Sequence, residues 1–151
     1  MKKFAAFPQD NPKIEGLERV YYDQEFVFGN CTSDFSYPPP TLSWYLNDQK
    51  ADPSFVYPTP ETTMDGFGMK MYRRSLEIRF RIDKKMYPML TADGKIVMKC
   101  VAHIRQLPTR MMESRHTLQI LTAKDIKNQM LINWKNSGEF FLNLLNFLKS
   151  C

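Results

Sequence analysis

Two cysteines and a tryptophan have the residue types and the spacing needed for a buried cross-link. Cys31 lies in an alternating apolar–polar stretch, Trp44 lies in the next such stretch, and Cys100 follows Cys31 by 69 residues. This order and spacing are typical of an immunoglobulin-type sandwich, in which a disulfide joins two sheets and packs against a tryptophan. The sequence therefore predicts a Cys31–Cys100 disulfide, Trp44 in the core and an oxidising, extracellular compartment.

The other reactive residues form no recognisable catalytic or metal-binding set. Cys151 is the terminal residue and has no evident partner, and no CxxC pair occurs. Only two histidines, His103 and His116, are available, so a zinc site has no ligand set. The sequence also contains no nucleophilic-serine, HExxH or phosphate-loop motif. We therefore predict a protein that is not an enzyme and that needs no metal or cofactor.

The hydrophobic pattern places the cross-link in an all-β, two-sheet antiparallel sandwich. Because side chains alternate along a strand, Val27, Gly29 and Cys31 of the strand at 25–33 should point inward, while Phe26 and Phe28 point outward. Two outward phenylalanines are either covered by a loop or a neighbouring domain, or form a partner surface. Further strands are predicted at 41–47, 76–83, 96–104 and 115–122, with a turn at 105–114. The stretch at 55–57 is predicted to be an edge strand C′, which is the strand that pairs with the one at 41–47 in an immunoglobulin domain.

Basic residues are concentrated around the strand at 76–83, in a chain with a formal net charge of +5. One interpretation is a solvated sheet face, and the other is a surface for an acidic partner such as a glycosaminoglycan. Nucleic acid is not predicted, since no recognition helix or aromatic stripe accompanies the charge. The residues of this predicted surface are Arg73, Arg74, Arg79, Arg81, Lys84 and Lys85.

A short modification motif overlaps the first cysteine. Asn30-Cys31-Thr32 fits the acceptor pattern for N-linked glycosylation. The alternation of the strand turns Asn30 outward, which favours access by a transferase. Its central residue is the cysteine that the disulfide requires, so we expect glycosylation to compete with folding. Asn30 is therefore a candidate glycosylation site.

The domain organisation follows from where the alternation starts and stops. We predict an extension at 1–11, the sandwich at 12–122 and a tail at 123–151 that is a weak amphipathic helix or disordered. A membrane-surface helix is the alternative for the tail, because its apolar run at 140–148 is too short to span a bilayer. The apolar run at 4–7 is too short for an export signal, so we expect a fragment of a longer secreted or cell-surface protein, or an incomplete gene model.

The residues around the cross-link also resemble one particular family. The runs concerned are 12–16, 21–24, Asn30–Ser33, Ser36–Pro39, Leu42–Asn47 and Arg74–Phe80. In combination they resemble the second immunoglobulin domain of the beaten path family. The resemblance implies a neuronal cell-surface or secreted protein that acts in axon guidance by binding sidestep-family immunoglobulin receptors. It implies no binding residue, because the family's first, V-like domain is expected to provide most partner recognition.

Two positions depart from that family's pattern. Gly29 stands where the family has an apolar residue, so we expect less packing volume beside the disulfide. Met98 stands where many immunoglobulin domains have the tyrosine of the tyrosine corner. Three hypotheses for function remain: an extracellular recognition or adhesion module, a spacer domain with no partner of its own, and a glycosaminoglycan-binding module.

Overall fold

Strands dominate the residues that this computed structural model describes, which are 5–66, 68–104, 107–136 and 148–149. The chain divides into two compact units, Met1–Ile120 and Leu121–Cys151. In chain order the elements are β1 (Lys13–Glu15), β2 (Val20–Tyr22), β3 (Phe26–Thr32), β4 (Thr41–Leu46), β5 (Gln49–Lys50), β6 (Val56–Pro58), β7 (Thr62–Gly66), β8 (Met69–Arg73), β9 (Ser75–Arg81), β10 (Lys95–Ile104), β11 (Leu107–Leu121) and α1 (Ala123–Asn136).

Two antiparallel sheets form the sandwich. One has four strands in the order β1-β3-β9-β6, and the other has five in the order β2-β11-β10-β4-β5. A separate hairpin pairs β7 with β8. Each long strand buries alternate side chains, as in β3, where Val27, Gly29 and Cys31 are buried while Phe26 and Phe28 are exposed. The predicted all-β, two-sheet architecture is confirmed.

The disulfide and the tryptophan hold the two sheets together. Cys31 on β3 is bonded to Cys100 on β10, with the Cα atoms 6.5 Å apart. Trp44 on β4 is buried, and its indole N–H donates to the backbone oxygen of Leu76 at 2.8 Å. Because Leu76 belongs to β9, this hydrogen bond also crosses from one sheet to the other. The core thus has a covalent and a polar link side by side.

The N-terminal segment is attached to the sandwich by Asp34. Its carboxylate accepts hydrogen bonds from the backbone N–H groups of Gln9 and Asp10, at 2.9 and 3.2 Å. Burial alone would raise the pKa of Asp34, but these N–H groups and the nearby Arg73 bring it below the ordinary value. Asp34 is therefore ionised at neutral pH and holds this segment beside β3.

Three predictions about strands and packing were wrong. The stretch at 55–57 contributes to β6, which pairs with β9 in the four-stranded sheet, whereas the strand beside β4 is β5. The predicted turn at 105–114 is largely strand, because β11 begins at Leu107 and pairs with β10 along most of its length. Gly29 leaves no void, because a Cβ atom there would lie 2.7 Å from Leu17 Cδ2.

The second unit begins with a capped helix. Thr122 Oγ1 accepts a hydrogen bond from the backbone N–H of Asp125, and Asp125 Oδ2 accepts one from that of Thr122. This reciprocal pair is a capping box, which starts a helix efficiently. Residues 140–147 of the predicted apolar run lie outside the described residues. Within the described part of the chain, no helix is long and apolar enough to cross a membrane.

Candidate functional site

The outward surface of the five-stranded sheet combines apolar side chains with ionic groups. We call it the five-stranded face and define it by Tyr45 on β4, Lys99 on β10, and Met111, Glu113 and Arg115 on β11. Strand pairing brings them together, because Lys99 lies opposite Tyr45 on one side and Arg115 on the other. Met111 is 59% exposed. The exposed apolar side chain of Met111 therefore shares this face with the charged side chains of Lys99, Glu113 and Arg115.

Lys99 is the centre of this arrangement. Its Nζ lies 2.9 Å from Asp48 Oδ1 and 3.9 Å from Glu113 Oε2, and 5.0 Å from the centroid of the Tyr45 ring. The hydrogen bond and the charge of Lys99 hold the pKa of the Asp48 carboxyl below its ordinary value. The Lys99 side chain is only 17% exposed, so its neighbours hold it in place. The result is a fixed pattern of positive and negative groups on β10, on β11 and in the turn after β4.

The outward surface of the four-stranded sheet is mainly aromatic and basic. We call it the four-stranded face and define it by Phe26, Phe28, Asn30, Tyr57, Arg79 and Arg81. The prediction that both phenylalanines face outward is confirmed, since they are 57% and 55% exposed. Their ring centroids are 6.1 Å apart. The guanidinium carbon of Arg81 lies 5.6 Å from the centroid of Phe26, and that of Arg79 lies 4.8 Å from the centroid of Tyr57.

The predicted basic surface is divided between the two ends of β9. Arg79 and Arg81 share the four-stranded face, whereas Arg74 lies just before β9, about 16 Å along the chain from Arg79 and about 23 Å from Arg81 at ~3.3 Å per residue. There Arg74 Nε lies 3.0 Å from Glu61 Oε2, and the neighbouring Arg73 stacks on the Phe35 ring at 4.1 Å. Lys85 is exposed, and the side chain of Lys84 lies outside the described residues. The structure thus brings together two of the predicted basic residues on one face.

The glycosylation motif lies in the middle of the four-stranded face. Asn30 is half-buried and lies opposite Glu15 on β1 and Glu77 on β9. Its Nδ2 donates to Thr32 Oγ1 at 3.2 Å. Asn30 and Thr32 therefore share the outward surface, while the intervening Cys31 is buried in the disulfide.

The sequence pattern predicted the strand at 96–104 that corresponds to β10, but not the network around Lys99. Its partners come from β4, from the turn after β4 and from β11, so they are far apart along the chain. Only the strand register shows that they meet. Among the described residues, no group of three or more His, Cys, Asp or Glu side chains could hold a metal ion.

Comparisons with known proteins agree with this architecture. The family model of the CD80-like C2-set immunoglobulin domain matches residues 8–85. No curated protein matches the sequence. Among solved structures, the Ig1–Ig3 ectodomain of mouse nectin-like molecule 4 is 21% identical with a TM-score of 0.52, covering 76% of this chain and 34% of that one. The D1–D2 structure of Rst is 13% identical with a TM-score of 0.52, covering 78% of this chain and 50% of that one.

These likenesses concern the fold of the chain and the part of each solved structure that it covers. At such identities they show a shared immunoglobulin-like fold, so the predicted fold class is confirmed. The chain spans about a third of the first structure and half of the second.

Proposed function

Because this chain belongs to the CD80-like C2-set immunoglobulin domain family, we propose that it is a non-catalytic, extracellular recognition module. Immunoglobulin domains commonly bind other immunoglobulin-superfamily proteins on cell surfaces, and that is the partner class. The Cys31–Cys100 bond supports the extracellular location, since disulfides persist in oxidising compartments.

The observation behind this proposal is the network around Lys99 on the five-stranded face. Charges of both signs in fixed positions favour a partner with the complementary pattern and set its orientation. Tyr45, Met111 and Arg115 are of residue types enriched at protein interfaces. Because neighbouring groups hold Lys99 in place, little side-chain freedom is lost when a partner binds. The face is therefore suited to binding a protein surface.

The finer identity of the partner rests on the sequence resemblance. The motifs around Cys31 and Trp44 resemble the second immunoglobulin domain of beaten path proteins. On that basis the partner is a sidestep-type receptor, and the process is axon guidance. The alternative is a spacer domain that positions an upstream V-like domain and has no partner of its own.

We expect Arg115→Glu to weaken binding of the chain to a sidestep-type ectodomain by about tenfold or more, since it reverses an exposed charge within the network. Surface plasmon resonance, with and without an upstream V-like domain, measures this. The matched control is Arg79→Glu on the other sheet. Arg115 and Arg79 are 55% and 50% exposed, and each forms an ion pair with the glutamate two residues before it.

The control variant should bind like the unchanged protein. If Arg79→Glu abolishes binding and Arg115→Glu does not, the partner binds the four-stranded face and not the five-stranded face. If the unchanged chain binds no sidestep-type ectodomain, with or without the upstream V-like domain, the result favours the spacer alternative.

Glycosaminoglycan binding is a second candidate, supported by the side-by-side Arg79 and Arg81. Within the described residues Arg81 forms no ion pair, so its charge is available to a sulfate group. For this function we expect Arg79→Ala together with Arg81→Ala to lower the salt concentration that elutes the protein from a heparin column. The control is Arg73→Ala with Arg74→Ala at the other end of β9. Retention that is the same in both double variants would exclude the four-stranded face as the heparin site.

A further inference from the structure

The acceptor motif and one exposed phenylalanine lie on the same strand and the same face. Phe28, Asn30 and Thr32 alternate along β3, so all three point away from the core. The Phe28 and Asn30 side chains leave the strand about 6.6 Å apart, which is two residues of a strand. Asn30 is also the only asparagine in the sequence with the N-x-Ser/Thr pattern.

Phe28 differs from the other exposed aromatic residues of this face. Arg81 lies over the ring of Phe26, and Arg79 lies over the ring of Tyr57. Among the described residues no cation lies over Phe28, although more than half of its surface is exposed. One exposed ring therefore lacks the cation that covers each of the other two, and it belongs to the residue two positions before Asn30 on β3.

A depression beside Asn30 has the chemistry that a sugar requires. It has a volume of about 410 Å³ and is lined by Phe28, Glu77 and Arg79, among others. The Glu77 carboxylate can accept hydrogen bonds from the hydroxyl groups of a sugar, and the Arg79 guanidinium can donate hydrogen bonds to them. The negative face of the aromatic ring attracts the weakly positive C–H groups of a sugar ring. Apolar and polar contacts are thus offered on adjacent sides.

We propose that Asn30 carries an N-linked glycan whose first sugar packs on the ring of Phe28. The donor is a lipid-linked oligosaccharide. Asn30 Nδ2 forms a bond to C1 of the sugar and loses one proton, while the bond from C1 to the pyrophosphate oxygen of the donor breaks. The N–H that stays on Nδ2 can still donate to Thr32 Oγ1.

The glycan explains why an apolar ring is exposed on this sheet. It covers Phe28 and the centre of the four-stranded face, and it leaves the five-stranded face open to protein partners. This assignment rests on the extracellular location proposed above but not on the proposed partner, because the contacts behind it all lie on β3 and its neighbouring strands.

The test uses the full chain, directed into the secretory pathway of cultured animal cells by an added leader peptide. Mass spectrometry should find the glycan at Asn30. Removing it with peptide N-glycosidase under native conditions should lower the midpoint of thermal unfolding by roughly 2–5 °C. The enzyme also converts Asn30 to aspartate between Glu15 and Glu77, so variants are needed to isolate the contact between sugar and ring.

Phe28→Ala and Phe26→Ala form the matched pair, since both residues lie on β3, face the same way and are equally exposed. Removing the glycan should lower the midpoint less in the Phe28 variant than in the unchanged protein, and by the unchanged amount in the Phe26 variant. An unmodified Asn30 in the secreted protein would overturn the proposal, and so would an equal fall in both variants. Neither readout involves a protein partner, so failure here is distinct from failure of the proposed function.

Discussion

Replacing Cys31 and Cys100 by alanine is expected to lower the free energy of unfolding by about 4 kcal/mol. The bond joins β3 of one sheet to β10 of the other across 69 residues, and closing a loop of that length lowers the entropy of the unfolded chain by an amount worth ~4 kcal/mol. A domain of this size is stable by roughly 5–15 kcal/mol, so this loss is a large part of the total. Urea denaturation monitored by the fluorescence of the tryptophans measures it.

Reducing the unchanged protein separates the covalent link from the packing of the sulfur atoms. The reduced protein keeps both sulfur atoms in the core, whereas the alanine variant leaves a small cavity. We therefore expect the reduced protein to lie between the other two in stability, and closer to the alanine variant. If reduction leaves the urea midpoint unchanged, the bond does not hold the two sheets together.

The cysteine and tryptophan spacing was sufficient to predict the arrangement of the core. Cys31, Trp44 and Cys100 are buried together, and alternation correctly assigned the two faces of β3. These features depend on local periodicity, which the sequence displays directly. The tryptophan's hydrogen bond to Leu76 was not predicted, because it depends on how the two sheets are stacked.

Membership of a particular sheet was harder to predict than the existence of a strand. The stretch at 55–57 has a strand-like composition, but nothing within it specifies whether it pairs with β4 or with β9. The structure pairs Val56 with Ile78 of β9. The limits of β11 were hidden by Pro108, which suggested a turn, although Pro is tolerated in strands where its missing N–H is not needed.

The same limitation applies to the candidate surfaces. The basic stretch was identified by its sequence density, yet its members separate because a strand extends by about 3.3 Å per residue. The network around Lys99 is the opposite case, since Tyr45 and Glu113 become its neighbours only through strand register. Counting basic residues along the sequence thus overestimated the size of the basic surface. It also missed the network around Lys99, whose members are far apart along the chain.

Gly29→Val is expected to destabilise the protein by roughly 2 kcal/mol, although the family that the sequence resembles has an apolar residue at this position. Valine favours strands over glycine by up to about 1 kcal/mol. Against this, a Cβ atom at this position would lie 2.7 Å from Leu17 Cδ2 and 2.9 Å from Leu17 Cγ. Overpacking of this kind costs about 1–3 kcal/mol or more, and valine adds two further methyl groups. Packing therefore outweighs strand preference.

Leu17 is the residue that decides the sign of this effect. It is half-buried against the core and occupies the volume beside Gly29. Leu17→Ala alone should destabilise the protein by removing that packing. In the double variant the valine fills the vacated space, so the two changes should cost less together than the sum of each alone, by about 1 kcal/mol. Urea denaturation measures the free energy of unfolding of all three variants. If the loss in the double variant equals the sum of the two single losses, Leu17 does not occupy the space that a side chain at position 29 would need.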